Sequence, residues 1–166
     1  MSVPIIVDEW LFEDLAGKNG ADKQSQAVQF LYKLEEICDR IVVLEGSPFE
    51  KKMHDLMGST NDSCRFRAAR SVFIELISSN SLKKCFIAKE DISALPDDVI
   101  KLIHKINPSS TKDHYLFQAH QKLKHKDCFI LTSDGRWENE KLKKKGFRIV
   151  MKDSFITQYL EREISN

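Results

Sequence analysis

The chain has 166 residues, of which 42% are hydrophobic, and its 26 basic and 25 acidic side chains leave a net charge of +1. That length suits one domain around a single core, and the balanced charge excludes a protein drawn to polyanions by its overall field, so any basic surface must come from local clustering. The four cysteines, Cys38, Cys64, Cys85 and Cys128, form no CxxC pair, which argues against a zinc site and for reduced core or half-buried thiols of a cytoplasmic protein.

Asp8 and Glu9 interrupt the only apolar run near the N-terminus, so no signal peptide is expected. No stretch approaches the roughly 20 apolar residues of a membrane span, and no membrane partner is expected. In chain order, Val3 to Val7 reads as a strand that is apolar on both faces, as a central parallel strand is. Trp10 to Leu15 reads as a short helix, and Ala21 to Asp39 shows a helical period of apolar residues. Arg40 to Leu44 is a second strand. Ser47-Pro48 then opens a helix to Met57 as N-cap and first helical residue.

After a polar loop from Gly58 to Ser63, Cys64 to Ser78 reads as one helix and Cys85 to Ala88 as a third strand. Pro96 to Ile106 is amphipathic. A helix begins at about Asp113 and leads into the apolar run Cys128 to Leu131, a buried strand bounded by charge and by Ser-Asp-Gly. A helix from about Glu138 to Lys145 stops at Gly146. Phe147 to Met151 is a last strand, and Asp153 or Ser154 caps a terminal helix.

Strands and helices alternate throughout, which predicts an α/β domain over residues 1–166, a three-layer α/β/α fold with a mostly parallel sheet. Ligands of such sheets bind outside the carboxyl ends of the strands. Asp8 and Asp134 follow predicted strands, while Glu50 and Asp113 lie in the first turns of predicted helices. All four converge on one edge. Carboxylates crowded at one point repel each other unless hard cations neutralise them, and oxygen-only ligands favour Mg2+ or Mn2+.

Each acid also has a local reading. Asp113 closes Ser110-x-x-Asp113, a sequence like a capping box. Asp134 precedes Gly135 and suits an Asx turn. Asp8 can cap the Trp10 segment, and an acid at Glu50 suits any helix N-terminus. Thr132 and Ser133 either orient a carboxylate or make plain strand-end hydrogen bonds.

The segments IIVDEWLFEDL, RIVVLEGSPFEKKMHDLM, KDHYLFQAHQKLKHKDCFILTSD and GFRIVMKDSFITQYL, in that order, resemble the PIN-domain nucleases. The resemblance implies a PIN-like fold and a metal-dependent endoribonuclease, either the toxin of a toxin–antitoxin pair or a stand-alone RNA-processing or defence enzyme. It places Asp8, Asp113 and Asp134 in the acidic metal site. Glu50 is the better match for the family's helix-borne glutamate and Glu75 the competitor, so Glu50→Gln is expected to weaken metal binding. Glu9 stands where the family often has a small polar residue. RNA is the implied partner, and an antitoxin protein and a homodimer stay open.

Of the basic clusters, Arg65, Arg67 and Arg70 are the leading RNA contacts; Lys122-Lys124-Lys126 and Lys141-Lys143-Lys144-Lys145 read as solvated faces. The competing reading is a catalytically weak PIN-like RNA-binding or assembly module. A phosphate-accepting regulator domain fits less well, and the absence of GxGxxG argues against a dinucleotide site.

Overall fold

Five short apolar runs pair into one parallel sheet: β1 (Pro4–Val7), β2 (Arg40–Leu44), β3 (Lys84–Ile87), β4 (Phe129–Thr132) and β5 (Ile149–Met151), in the order β3-β2-β1-β4-β5. The computed structural model describes residues 2–61, 63–78 and 81–162. The central strands β1 and β4 are buried along their whole length, because helices cover both faces of the sheet. β3 lies at an edge, and there Phe86 is exposed.

The connections explain the layers. β1 leads through α1 (Trp10–Leu15) and α2 (Ala21–Glu36) to β2, and β2 through α3 (Pro48–Met57) and α4 (Cys64–Phe73) to β3. These crossovers step the same way along the sheet, so right-handed connections put their helices on one face. From β3, α5 (Asp97–Ile106) and α6 (His114–Leu123) lead back across to β4, which places them on the other face. α7 (Glu140–Lys144) packs beside α5, and α8 (Lys152–Leu160) returns to pack on α2. This is the expected three-layer α/β/α arrangement.

The strand order reverses between β1 and β4, whose register pairs Val7 with Leu131. The carboxyl ends of these two strands flank the switch point, where doubly wound sheets open a crevice. Asp8 extends the ladder by donating its N–H to the Leu131 carbonyl at 3.3 Å. The Trp10 indole donates to the same carbonyl at 3.1 Å and pins the start of α1 over the crevice.

Some boundaries differ from expectation. The helix expected over residues 64–78 ends as a π turn over Ile74–Ser78. α8 begins at Lys152, so Asp153 lies in its first turn and pairs with Lys23 at 2.8 Å instead of capping it. All four cysteines are free, and Cys38 and Cys64 are exposed, unlike the buried Cys128. Cys38 sits in the left-handed turn after α2, with φ of 61°, which turns its side chain out of the core.

Candidate active site

At the switch point the chain gathers Asp8, Thr132 and Asp134, with Asp113 opposite at the start of α6. Asp8 is the most constrained. One carboxylate oxygen accepts the Trp10 N–H at 3.0 Å; the other accepts a short bond from the Thr132 hydroxyl and the Ser133 N–H at 3.3 Å. Three donors should hold the carboxylate ionised, yet burial outweighs them and, with Asp113 adding repulsion, pushes Asp8 from 3.8 up to about 6. Thr132 also accepts the Asp134 N–H at 3.0 Å, so this buried hydroxyl links the two strand-end acids.

Asp113 stands at the N-cap position of α6, but its side chain makes no capping bond. Its nearest partner is the Asn107 amide at 3.4 Å, a weak contact. Burial raises its pKa, Asp134 and Glu9 push the same way, and Lys112 and Arg136 oppose them. Asp134 does form the Asx turn, accepting the Arg136 N–H at 3.0 Å. The Arg136 side chain then closes on both of its oxygens, with Nε at 2.9 and 3.0 Å and a terminal nitrogen at 2.6 Å. That fork holds Asp134 below the usual carboxylate range.

Two further groups belong here. Glu9 adds its field to those of Asp8 and Asp113 on Tyr115, which is buried and holds its hydroxyl 3.4 Å from the Val7 carbonyl. Burial, reinforced by these acids, keeps the Tyr115 phenol protonated. From sequence Glu9 is read only as a departure from the family pattern and Tyr115 is not singled out, although Glu9 adjoins Asp8 and Tyr115 lies two residues after Asp113.

Glu50 lies elsewhere on the same sheet edge. α3 starts with Ser47, whose hydroxyl accepts the Glu50 N–H at 3.2 Å, and the Glu50 carboxylate turns back to accept the Gly46 N–H at 2.7 Å. The Ser47 half is that of a capping box, while the glutamate reaches one residue further back, to Gly46 in place of the Ser47 N–H. Because a glutamine serves that role equally, Glu50→Gln is expected to leave both the melting temperature and Mn2+ affinity unchanged, whereas Glu50→Ala loses about 0.5 kcal/mol of stability. A Mn2+ titration of both variants beside a thermal melt checks this; weaker Mn2+ binding by Glu50→Gln would return the glutamate to the metal. Glu75 is exposed in the π turn after α4.

The side chains form no ready-made metal cage: among the described residues no three His, Cys, Asp or Glu side chains are placed to hold one ion. Arg136 already occupies both oxygens of Asp134. Its side chain is 58% exposed, so solvent and salt screen the pair on the arginine side. With that fork released, Asp8, Asp113 and Asp134 offer oxygen ligands alone, and the two that burial pushes up, Asp8 and Asp113, resist ionising without a cation. This donor chemistry fits Mg2+ or Mn2+. The expected RNA contacts Arg65 and Arg67 are exposed on α4, and Arg70 bonds back to the Ser59 carbonyl.

Compared with protein-family models, curated proteins and solved structures, the chain gives no match.

Proposed function

We propose that this protein is a Mg2+- or Mn2+-dependent endoribonuclease that cuts phosphodiester bonds at the switch-point crevice. The observation that supports this reading most is Asp8: a carboxylate given three hydrogen-bond donors and still pushed up to about 6. A fold tolerates such a group when a ligand repays its cost, and a divalent cation neutralises Asp8 and Asp113 together. Asp8, Asp113 and Asp134 are the residues that would hold it. When bound, such a cation supplies Lewis-acid activation of water and of the phosphodiester.

The chain's own contributions follow from the geometry. Thr132 and the Trp10 and Ser133 amides fix both oxygens of Asp8, so its orientation is set before any ligand arrives. Arg136, freed from Asp134, is placed to take up a phosphate oxygen bidentately. The Trp10 and Tyr115 rings keep the crevice floor apolar and exclude bulk water beneath the acids. No side chain is needed as a nucleophile, so the products should carry 5′ phosphate and 3′ hydroxyl ends.

The test is incubation of the purified chain with a generic RNA, with Mn2+ and with excess EDTA, followed by end-group analysis. Cleavage only with metal and 5′ phosphate ends are expected. Cyclic phosphate ends, or full activity in EDTA, would overturn the reading. Arg136's hold on Asp134 supports a second reading, a catalytically weak RNA-binding or assembly module; such a module binds RNA and cuts none under these conditions. A toxin role adds an antitoxin partner, which co-expression with neighbouring open reading frames would test.

A further inference from the structure

One side of α6 lines two clefts, of about 620 and 480 Å3, and Gln118 belongs to both. Thr111, His114, Gln118, Lys122 and His125 recur every three or four residues, the spacing of a single helical stripe. The clefts therefore form one groove between α6 and the segment that follows β3. α6 spans about 15 Å at about 1.5 Å per residue, and with the 3-10 turns Ser110–Asp113 and Lys124–Lys126 at its ends the groove runs about 20 Å. One end lies outside the carboxyl end of β2, where Lys112 and His114 flank Asp113 on either side in the chain. The other lies at Lys124 and Lys145.

The groove's charge is one-sided. Lys89 and Lys112 rim the near end and Lys122 and Lys124 the far end, all exposed and, among the described residues, in no ion pair. The groove also carries two acids, against five lysines, so its lining is net basic. Asp98 is paired with Lys145, and the Glu45 carboxylate accepts the Lys89 N–H at 2.9 Å. His120 lines the far cleft as a neutral ring, since burial pushes it down to about 4 and its Nε2 accepts the Arg148 N–H at 3.1 Å. A basic face is usually only solvated, but these lysines rim a concave track that ends beside the acidic crevice.

We propose that the groove holds a single strand of nucleic acid, its phosphates running past Lys124 and Lys122 and then Lys112 and Lys89, so that an internal phosphodiester of the strand is brought beside Asp113. That placement rests on the nuclease reading; the binding does not. A length of about 20 Å takes about four nucleotides, the lower end of single-strand footprints. The open walls at Gln118 and Thr111 impose little sequence preference.

The test uses the full chain and a fluorescent oligoribonucleotide of about twelve nucleotides, in EDTA, with anisotropy read over a salt series. Lys122→Glu/Lys124→Glu is expected to lower affinity at least about tenfold and to flatten the slope of log K against log salt by about 1.4, from roughly 0.7 per phosphate lost. Its melting temperature should stay that of the parent, since both lysines are exposed. Arg65→Glu/Arg67→Glu is the control and should change neither affinity nor slope. DNA of the same sequence should bind within about threefold of the RNA, because a backbone-reading groove ignores the 2′ hydroxyl.

Wild-type affinity in the lysine variant, or its loss in the arginine variant, would overturn the groove. So would tighter binding of a poly-glutamate peptide than of the oligonucleotide, which would mark a site for an acidic protein. Lost binding in the lysine variant together with no cleavage by the parent in Mn2+ leaves the groove standing and removes the nuclease reading. Metal-dependent cleavage with unchanged binding in the variant removes the groove alone.

Discussion

Asp8→Asn should abolish metal-dependent RNA cleavage and at the same time make the protein more stable above pH 6. Loss of a cation ligand removes charge stabilisation of several kcal/mol from the transition state, about a thousandfold in rate at 1.36 kcal/mol per decade. The stability gain follows from linkage. Asp8 titrates at about 6 in the fold and near 3.8 when unfolded, so between those values the native state binds the extra proton. Its stability therefore falls as pH rises through that window, and the full cost, about 3 kcal/mol, is present above pH 6. Asparagine carries no such cost. It can accept from Trp10 and donate to Thr132, but it leaves the 3.3 Å Ser133 N–H without its acceptor, a loss of about 1 kcal/mol. The variant should thus be about 2 kcal/mol more stable than the parent at pH 7.5 and about 1 kcal/mol less stable at pH 3. Denaturant melts at the two pH values measure this directly. A variant less stable at both would mean that Asp8 is a structural cap, and the acidic crevice would lose its main support.

Why the strands and the switch point could be read in the sequence, while the site's wiring could not, is a matter of range. Pro4 to Val7 and Phe129 to Thr132 are buried on both faces, and that demands an apolar run which any reader of the chain can see. Acids directly after such runs fall at the carboxyl edge by construction. Their partners follow no such rule. In sequence Thr132 fits plain strand-end bonding slightly better, and only the β1–β4 pairing sets its hydroxyl against Asp8. Ser110-x-x-Asp113 looked like a capping box, but the capping bond is absent. In α3 the opposite holds: Ser47 and Glu50 have true capping-box spacing, and local geometry takes the glutamate. The Asx turn expected at Asp134 predicts its bond to the Arg136 N–H, but nothing in that turn requires the arginine side chain to fold back on the same carboxylate. The lysines of α6 look like a solvated face until the segment after β3 closes the groove's other wall. Least legible of all is a buried pair separated by most of the chain.

That pair, Asp14 and Lys152, should be the most damaging place to break the fold. Its oxygen and nitrogen lie 2.6 Å apart, with side chains only 2% and 7% exposed. The second Asp14 oxygen accepts from Asn19 at 2.7 Å, and the Lys152 ammonium sits 4.9 Å from the centre of the Trp10 ring. Removing Asp14 leaves the buried Lys152 ammonium with only the exposed Asp153 carboxylate at 3.9 Å, so Asp14→Ala should cost about 3 kcal/mol, a large share of a typical domain's stability. The pair itself contributes little beyond an apolar filling of the same shape, since desolvation offsets most of its attraction. Asp14→Leu/Lys152→Met should therefore recover most of the loss, which denaturant melts of the single and double variants would show. If Asp14→Ala costs under about 1 kcal/mol, water reaches the pair and its burial has been overstated. A functional consequence follows from the same contacts. Lys152 on α8 holds the Trp10 ring, and the Trp10 amide and indole hold Asp8 and the Leu131 carbonyl. The double variant keeps the fold but loses the cation over the ring, so it should melt near the parent and cleave RNA more slowly. Equal cleavage rates would show that Asp8 is positioned by Thr132 and the strand ends alone.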